Sequence, residues 1–227
     1  MEKKYKLTDE TINLNGVTLY RIEALKDFGE IKKGDKGGFI ASESNLAHEG
    51  DAWVSDNARV YGDACVFDNA KVYGNAFVSG NAQVYGNAFV YGNAWLCDNT
   101  RVCGYAWVSD NARVYGDANV CDDSSVFGNA LVYDNARVYG DALVRGYACV
   151  CGDAEISNKS DYIVFQNWWS SGRYFTWTRS NNMWSVGCFY GTGEELIKKA
   201  YKDSELSGRE YERIVKYVEE IRKDNGK

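Results

Sequence analysis

Few residues in this chain have the types and spacing that chemistry demands. There is one histidine, His48, and a lone imidazole offers general acid–base work at most. The seven cysteines are an odd number and none stands in a CxxC pair, so neither a disulfide framework nor a zinc site is announced. Cys103 with Cys121, and Cys149 with Cys151, have no histidine or carboxylate partner implied by spacing. They read as free thiols of a reducing compartment, with no metal and no cofactor expected. The denser constellation lies near the C-terminus, where Trp168, Trp169, Arg173, Trp177, Arg179 and Trp184 fall within one aromatic-rich stretch. Tryptophan and arginine anchor binding hot spots, and arginine beside an aromatic ring can hold a nucleotide or phosphate. The plainer reading makes most of these indoles a hydrophobic lid and leaves Arg173 and Arg179 as the ligand contacts.

The elements that must position these residues announce themselves by periodicity. From Asp51 to Asn158 the chain runs DAWVSD, NARVYG, DACVFD, NAKVYG and onward, eighteen hexads without a gap. Position 2 is Ala except at Thr100 and Ser124, and position 4 is Val except at Leu96 and Ile156. The x-V-x triplet is a short strand with Val turned inward and its neighbours outward. The Gly/Asp and Asn/Asp pair that follows supplies residues tolerant of a left-handed corner. Each hexad is one side of a triangular coil, so eighteen hexads wind six coils of a parallel β-helix, about 29 Å long at about 4.8 Å per rung.

The hexad register resembles the signature of left-handed β-helices known from acyltransferases. It is more similar to the YdcK-like β-solenoid proteins common in prophages, whose repeats read NARVYG, NAWVSG and NAQVYG. The opening LTDETINLNGVTLYRIEALKDFGEIKKGDKGGFIASESNLAHEG and the later GCFYGTGEEL resemble that family as well. The resemblance implies a left-handed winding, and it implies no established transferase chemistry. Acyltransferases of this architecture use a histidine base and a protruding loop. Here no loop interrupts the hexads, and His48 falls in the degenerate hexad NLAHEG, at what the count from Asp51 makes an inward Val slot.

Stacking every third hexad sorts the outward residues into three faces. The first carries Trp53, Lys71, Phe89 and Trp107 at position 3, and the second Arg59, Phe77, Trp95 and Arg113. The third is polar, with Cys65, Gln83, Arg101, Asn119, Arg137 and Glu155. Trp53, Phe89, Trp107, Phe77 and Trp95 are therefore the candidate oligomer or partner surface, and Tyr and Phe at position 5 are expected to stack on their neighbours. Asn57, Asn75, Asn93, Asn111 and Asn129 form an asparagine ladder. Cys103 and Cys121 fall one coil apart in one outward column.

Residues 1–50 read as an N-terminal cap, opened by a hairpin at Asn15-Gly16. Residues 51–158 are the rod, and residues 159–227 a small α+β module packed on its end. In the module, strands at Tyr162–Phe165, Tyr174–Thr178 and Met183–Val186 precede two helices, opened by capping boxes at Thr192/Glu195 and Ser207/Glu210. The net charge of −6 argues against a nucleic-acid binder. No segment approaches the roughly 18 apolar residues of a membrane span, so a cytoplasmic protein is expected. The expected function is non-enzymatic binding or scaffolding of phage type, directed at a host protein, a signalling nucleotide or a second copy as trimer or dimer. An acyltransferase and an acidic DNA mimic, built on corner residues such as Asp56 and Asp98, are the alternatives.

Overall fold

The computed structural model describes residues 2–169 and 171–225, and the chain divides into two compact units, residues 1–161 and 162–227. The first unit opens with an antiparallel hairpin, β1 (Tyr5–Leu14) and β2 (Val17–Ala24), turned by Asn15 and Gly16, both at positive φ. Strand β3 (Lys36–Ile40) pairs antiparallel with β2 on one side and parallel with Arg59–Val60 on the other. One sheet thus passes from the hairpin directly into the rod.

Eighteen two-residue strands follow, one per hexad, from β4 (Trp53–Val54) to β21 (Glu155–Ile156). Every third strand pairs in parallel and in register. This gives one sheet of nine strands that includes the hairpin and β3, and two sheets of six. The solenoid has about seven turns, not six. The additional turn comes from the cap, where Ile40 stacks on Val60 and Leu46 on Val66. Inside, the Val column and the Ala column are buried throughout, and each buried Val contributes roughly 1.5–3 kcal/mol of transfer free energy.

Leu46, not His48, fills the inward slot beneath Val66. The distance from Leu46 to Val54 is two residues longer than a hexad, so counting backward from Asp51 assigned the slot to the wrong side chain. His48 instead stacks on Tyr5, with ring centroids 4.4 Å apart, and its Nδ1 accepts the Lys4 backbone N–H at 3.2 Å.

Corners explain why the sixth position is only Gly or Asp until the last hexad. Asp56, Asp68, Asp98, Asp110, Asp122 and Asp134 all sit at φ of 55–60°, like the corner glycines. Each places Oδ2 within 2.9–3.2 Å of a glycine N–H 18 residues later, Asp56 on Gly74 and Asp98 on Gly116 among them. Their spacing, irregular along the chain, is orderly in the coil, because every such Asp has a Gly above it.

The second unit holds an antiparallel sheet of β22 (Tyr162–Gln166), β23 (Tyr174–Thr178), β24 (Met183–Val186) and β25 (Phe189–Gly191). Two helices complete it, α1 (Gly193–Asp203) and α2 (Glu205–Asn225). The Thr192/Glu195 box caps α1 as its sequence implies. The second box does not form: α2 begins before Ser207, whose N–H is taken by the Ser204 hydroxyl at 3.1 Å. Ser204 also donates its own N–H to Ala200, so one serine closes the first helix and opens the second.

Candidate functional site

On the first face the cap covers what the hexads leave bare. Trp53 is 3% exposed, packed edge-on against Phe28 and Tyr5 at 5.3 and 6.3 Å. It is therefore core and not a partner surface, because a non-repeating segment folds over the rung that carries it. Phe89 leans on Trp107 at 5.5 Å, and Trp107 keeps 49% of its surface exposed. Between them and the cap lies a groove of about 680 Å³, where Gly29–Ile31 overhangs Lys71, Tyr73 and Phe89, flanked by Asp51, Asn69 and Asn87.

The second face carries a column of stacked cations and rings. Arg21 lies over Phe39 at 4.2 Å, Arg59 over Phe77 at 4.8 Å, and Arg113 over Trp95 at 5.5 Å. Phe77 and Trp95 meet at 6.1 Å, and Trp95 is 43% exposed. Strict register of the paired strands sets these residues one above another. Position 5 shows stacking in its plainest form, with the Tyr73–Tyr91 and Tyr115–Tyr133 rings nearly parallel at 4.9 and 4.8 Å.

Along the corner beside that face the asparagine ladder is continuous from Asn57 to Asn129, each Nδ2 donating to the next Oδ1 at 3.2–3.5 Å. The third face holds a disulfide between Cys103 and Cys121, which corrects the expectation that both are free thiols. Position 5 of successive coils brings their Cα atoms to 4.6 Å, within the span a disulfide bridges. Cys149 and Cys151 remain thiols, and the Cys149 Sγ lies 3.6 Å from the Tyr133 hydroxyl.

In the second unit the constellation read from sequence does not assemble. Trp177 and Trp184 form part of the unit's own core with Phe175, Leu196, Tyr211 and Val215. The Trp177 Nε1 donates to Asn182 at 3.0 Å, so both indoles are structural. Trp168 stands 85% exposed, touching Trp169 edge-on at 6.3 Å. Arg173 and Arg179 are exposed but flank opposite ends of β23, about 20 Å apart at the rise of a strand. They cannot grip one small ligand together.

The end of the rod is closed where side chains of the cap complete what its partial turn leaves open. Within the rod, backbone N–H groups donate to carbonyls of the following coil, as Asn57 does to Gly74 and Trp53 to Ala70. Over the first hexad coil the cap supplies such backbone donors only in part, from Phe39, Ala41 and Ala47 to Ala58, Val60 and Val66. Lys4 Nζ donates instead to Gly50 and Ala52 carbonyls at 3.2 and 2.8 Å, and the Tyr5 hydroxyl to Leu46 at 2.7 Å. Arg21 Nη1 reaches the Asp56 carbonyl at 3.2 Å, and Asn45 Nδ2 those of Gly62 and Ala64 at 2.9 and 2.8 Å. Burial lowers the Lys4 ammonium to about 8 and pushes the Tyr5 phenol up. Sequence reasoning missed all four residues, whose only signal was their place in a non-repeating cap.

No helix among the described residues is long and apolar enough to cross a membrane. Comparison with curated proteins returns no significant match. A family model described as the YdcK β-solenoid repeat matches residues 82–98 and 132–146, both inside the hexads. The rod is a β-solenoid, and over those two stretches its repeats are similar to the YdcK β-solenoid repeat.

Proposed function

We propose that the protein is a non-enzymatic binding or scaffolding protein whose rod presents aromatic faces to a partner protein. The observation that carries this reading is the exposure of Trp95 and Trp107 on adjoining faces, each ring fixed by its rung. Indoles are large contact residues, and a rigid array spends little side-chain entropy on binding. His48 supports the non-enzymatic half, since its ring is stacked and its Nδ1 is already occupied. The resemblance to solenoids of prophages extends the proposal to a phage protein acting in the cytoplasm against host defence, with a host protein as the first partner.

The test is affinity capture from host lysate with the native chain and with a Trp95→Ala/Trp107→Ala double variant. A specific protein retained by the native chain and lost by the variant is expected; equal retention by both overturns the reading. Light scattering on the same samples separates a heterologous partner from a second copy, because self-association gives a dimer or trimer mass with no lysate present.

A further inference from the structure

From the column on the second face we infer that the rod binds an acidic, extended peptide segment of its partner, with carboxylates at positions i and i+4 and an apolar residue between them. The inference rests on the binding reading above and names the chemistry of one partner.

The column carries charge opposite to that of the whole chain. The chain carries a net −6, yet Arg59 and Arg113 lie on this face stacked on Phe77 and Trp95. Among the described residues neither Arg59 nor Arg113 forms an ion pair, whereas Arg21, Arg137, Arg209 and Arg213 do. The Arg59 Nε is buried and has no hydrogen-bond partner. The flanking columns are neutral. On one side runs the asparagine ladder, and on the other Tyr61, Ser79, Cys97 and Tyr115. The nearest acids, Asp56, Asp98 and Asp110, each direct Oδ2 to a glycine N–H of the next coil. Stacked, unpaired arginines retain planar forks that match carboxylates in bidentate fashion.

Spacing selects the form of the ligand. Arg59 and Arg113 are separated by three rungs, about 14 Å at the usual strand separation. In an extended chain, residues i and i+4 point the same way and lie about 13 Å apart. The residue at i+2 then falls over Phe77 and Trp95, the two rings between the arginines. A phosphate or nucleotide would engage one guanidinium and leave the other unused.

The experiment is fluorescence anisotropy with the full chain and a set of short labelled peptides carrying Glu at i and i+4, the residue at i+2 varied among Leu, Phe, Tyr and Trp. Saturable binding is expected, with weakening of about tenfold or more on Arg59→Ala or Arg113→Ala and a further loss in added salt. Arg101→Ala on the third face should leave binding intact. Each substitution lies on an outward position, and circular dichroism verifies that the rod is unchanged. Absence of binding across the set, equal binding of the Gln counterparts, or unchanged affinity in the Arg59→Ala/Arg113→Ala variant overturns the inference. If the lysate partner is still captured through Trp107 while the peptides fail, the acidic-segment inference falls and the scaffold reading stands.

Discussion

At each corner of the rod a residue leans along the axis toward the coil that follows. A Cβ built on Gly80 would lie 2.7 Å from the backbone nitrogen of Asp98, whereas one on Gly62 would meet Gly80 no closer than 3.2 Å. Both glycines have φ near 68°, so backbone strain is matched and only the neighbour differs. Gly62→Asp should be nearly neutral, because it gains the Gly80 N–H as Asp56 gains that of Gly74. Gly80→Asp should cost about 1–3 kcal/mol by overpacking, read as a drop in denaturation midpoint. A second residue-scale prediction concerns Lys4. Its folded pKa of about 8 lies below the ordinary 10.5, so between those values the unfolded chain binds the extra proton and stability rises with pH. Tyr5 acts oppositely. Its phenol is held up by burial, and its contribution is lost as pH rises above about 10. Urea titrations across this range should show the rise from pH 8, and Lys4→Met should remove it.

Within the elements, one covalent tie and one indole core set the strength of the two units. Cys103–Cys121 closes a loop of one coil, and a loop of that length is stabilised by roughly 3 kcal/mol when bridged. Reductant should lower the rod's unfolding midpoint accordingly, while a Cys103→Ser variant, already weakened, should not respond to reductant. In the second unit Trp184 is buried against Phe175 and Leu196, so Trp184→Ala should cost about 3–5 kcal/mol and abolish the unit's near-ultraviolet dichroism. The reach of sequence reasoning divides along the same line. Val and Ala slots, the asparagine ladder and the stacked tyrosines were legible, since each depends only on its copy one coil away. The burial of Trp53, the displacement of His48 by Leu46 and the start of α2 were not. Each is decided by a non-repeating neighbour: Phe28 on Trp53, two extra residues before Asp51, and the hydroxyl of Ser204. The hand of the coil lies outside the hexad altogether and enters only with the family resemblance.

For the whole molecule, the identity of a face is a matter of counting by three. Removing residues 117–134, one full coil, should leave Arg59, Phe77, Trp95 and Arg113 in line, with peptide affinity unchanged. Removing residues 75–80, one hexad, should still give a folded rod, because any hexad fits any side. It would set Arg59 beneath Gln83 and abolish the acidic-peptide affinity. Circular dichroism with anisotropy on the two deletions separates shape from recognition, and equal affinity in both would show that the column is not the reader.

The corner aspartates and the cap side chains together give the rod a direction in time. Asp56 holds out an acceptor for Gly74, which leaves the ribosome 18 residues later, and the donors of each coil await carbonyls of the coil not yet made. Lys4, Tyr5 and Arg21, which finish the first coil, are translated before any of it. The chain therefore emerges seed first, and each new coil can be laid on a completed template at short sequence separation, where loop closure costs least. A nascent chain arrested partway through the hexads would already be a shorter, capped rod.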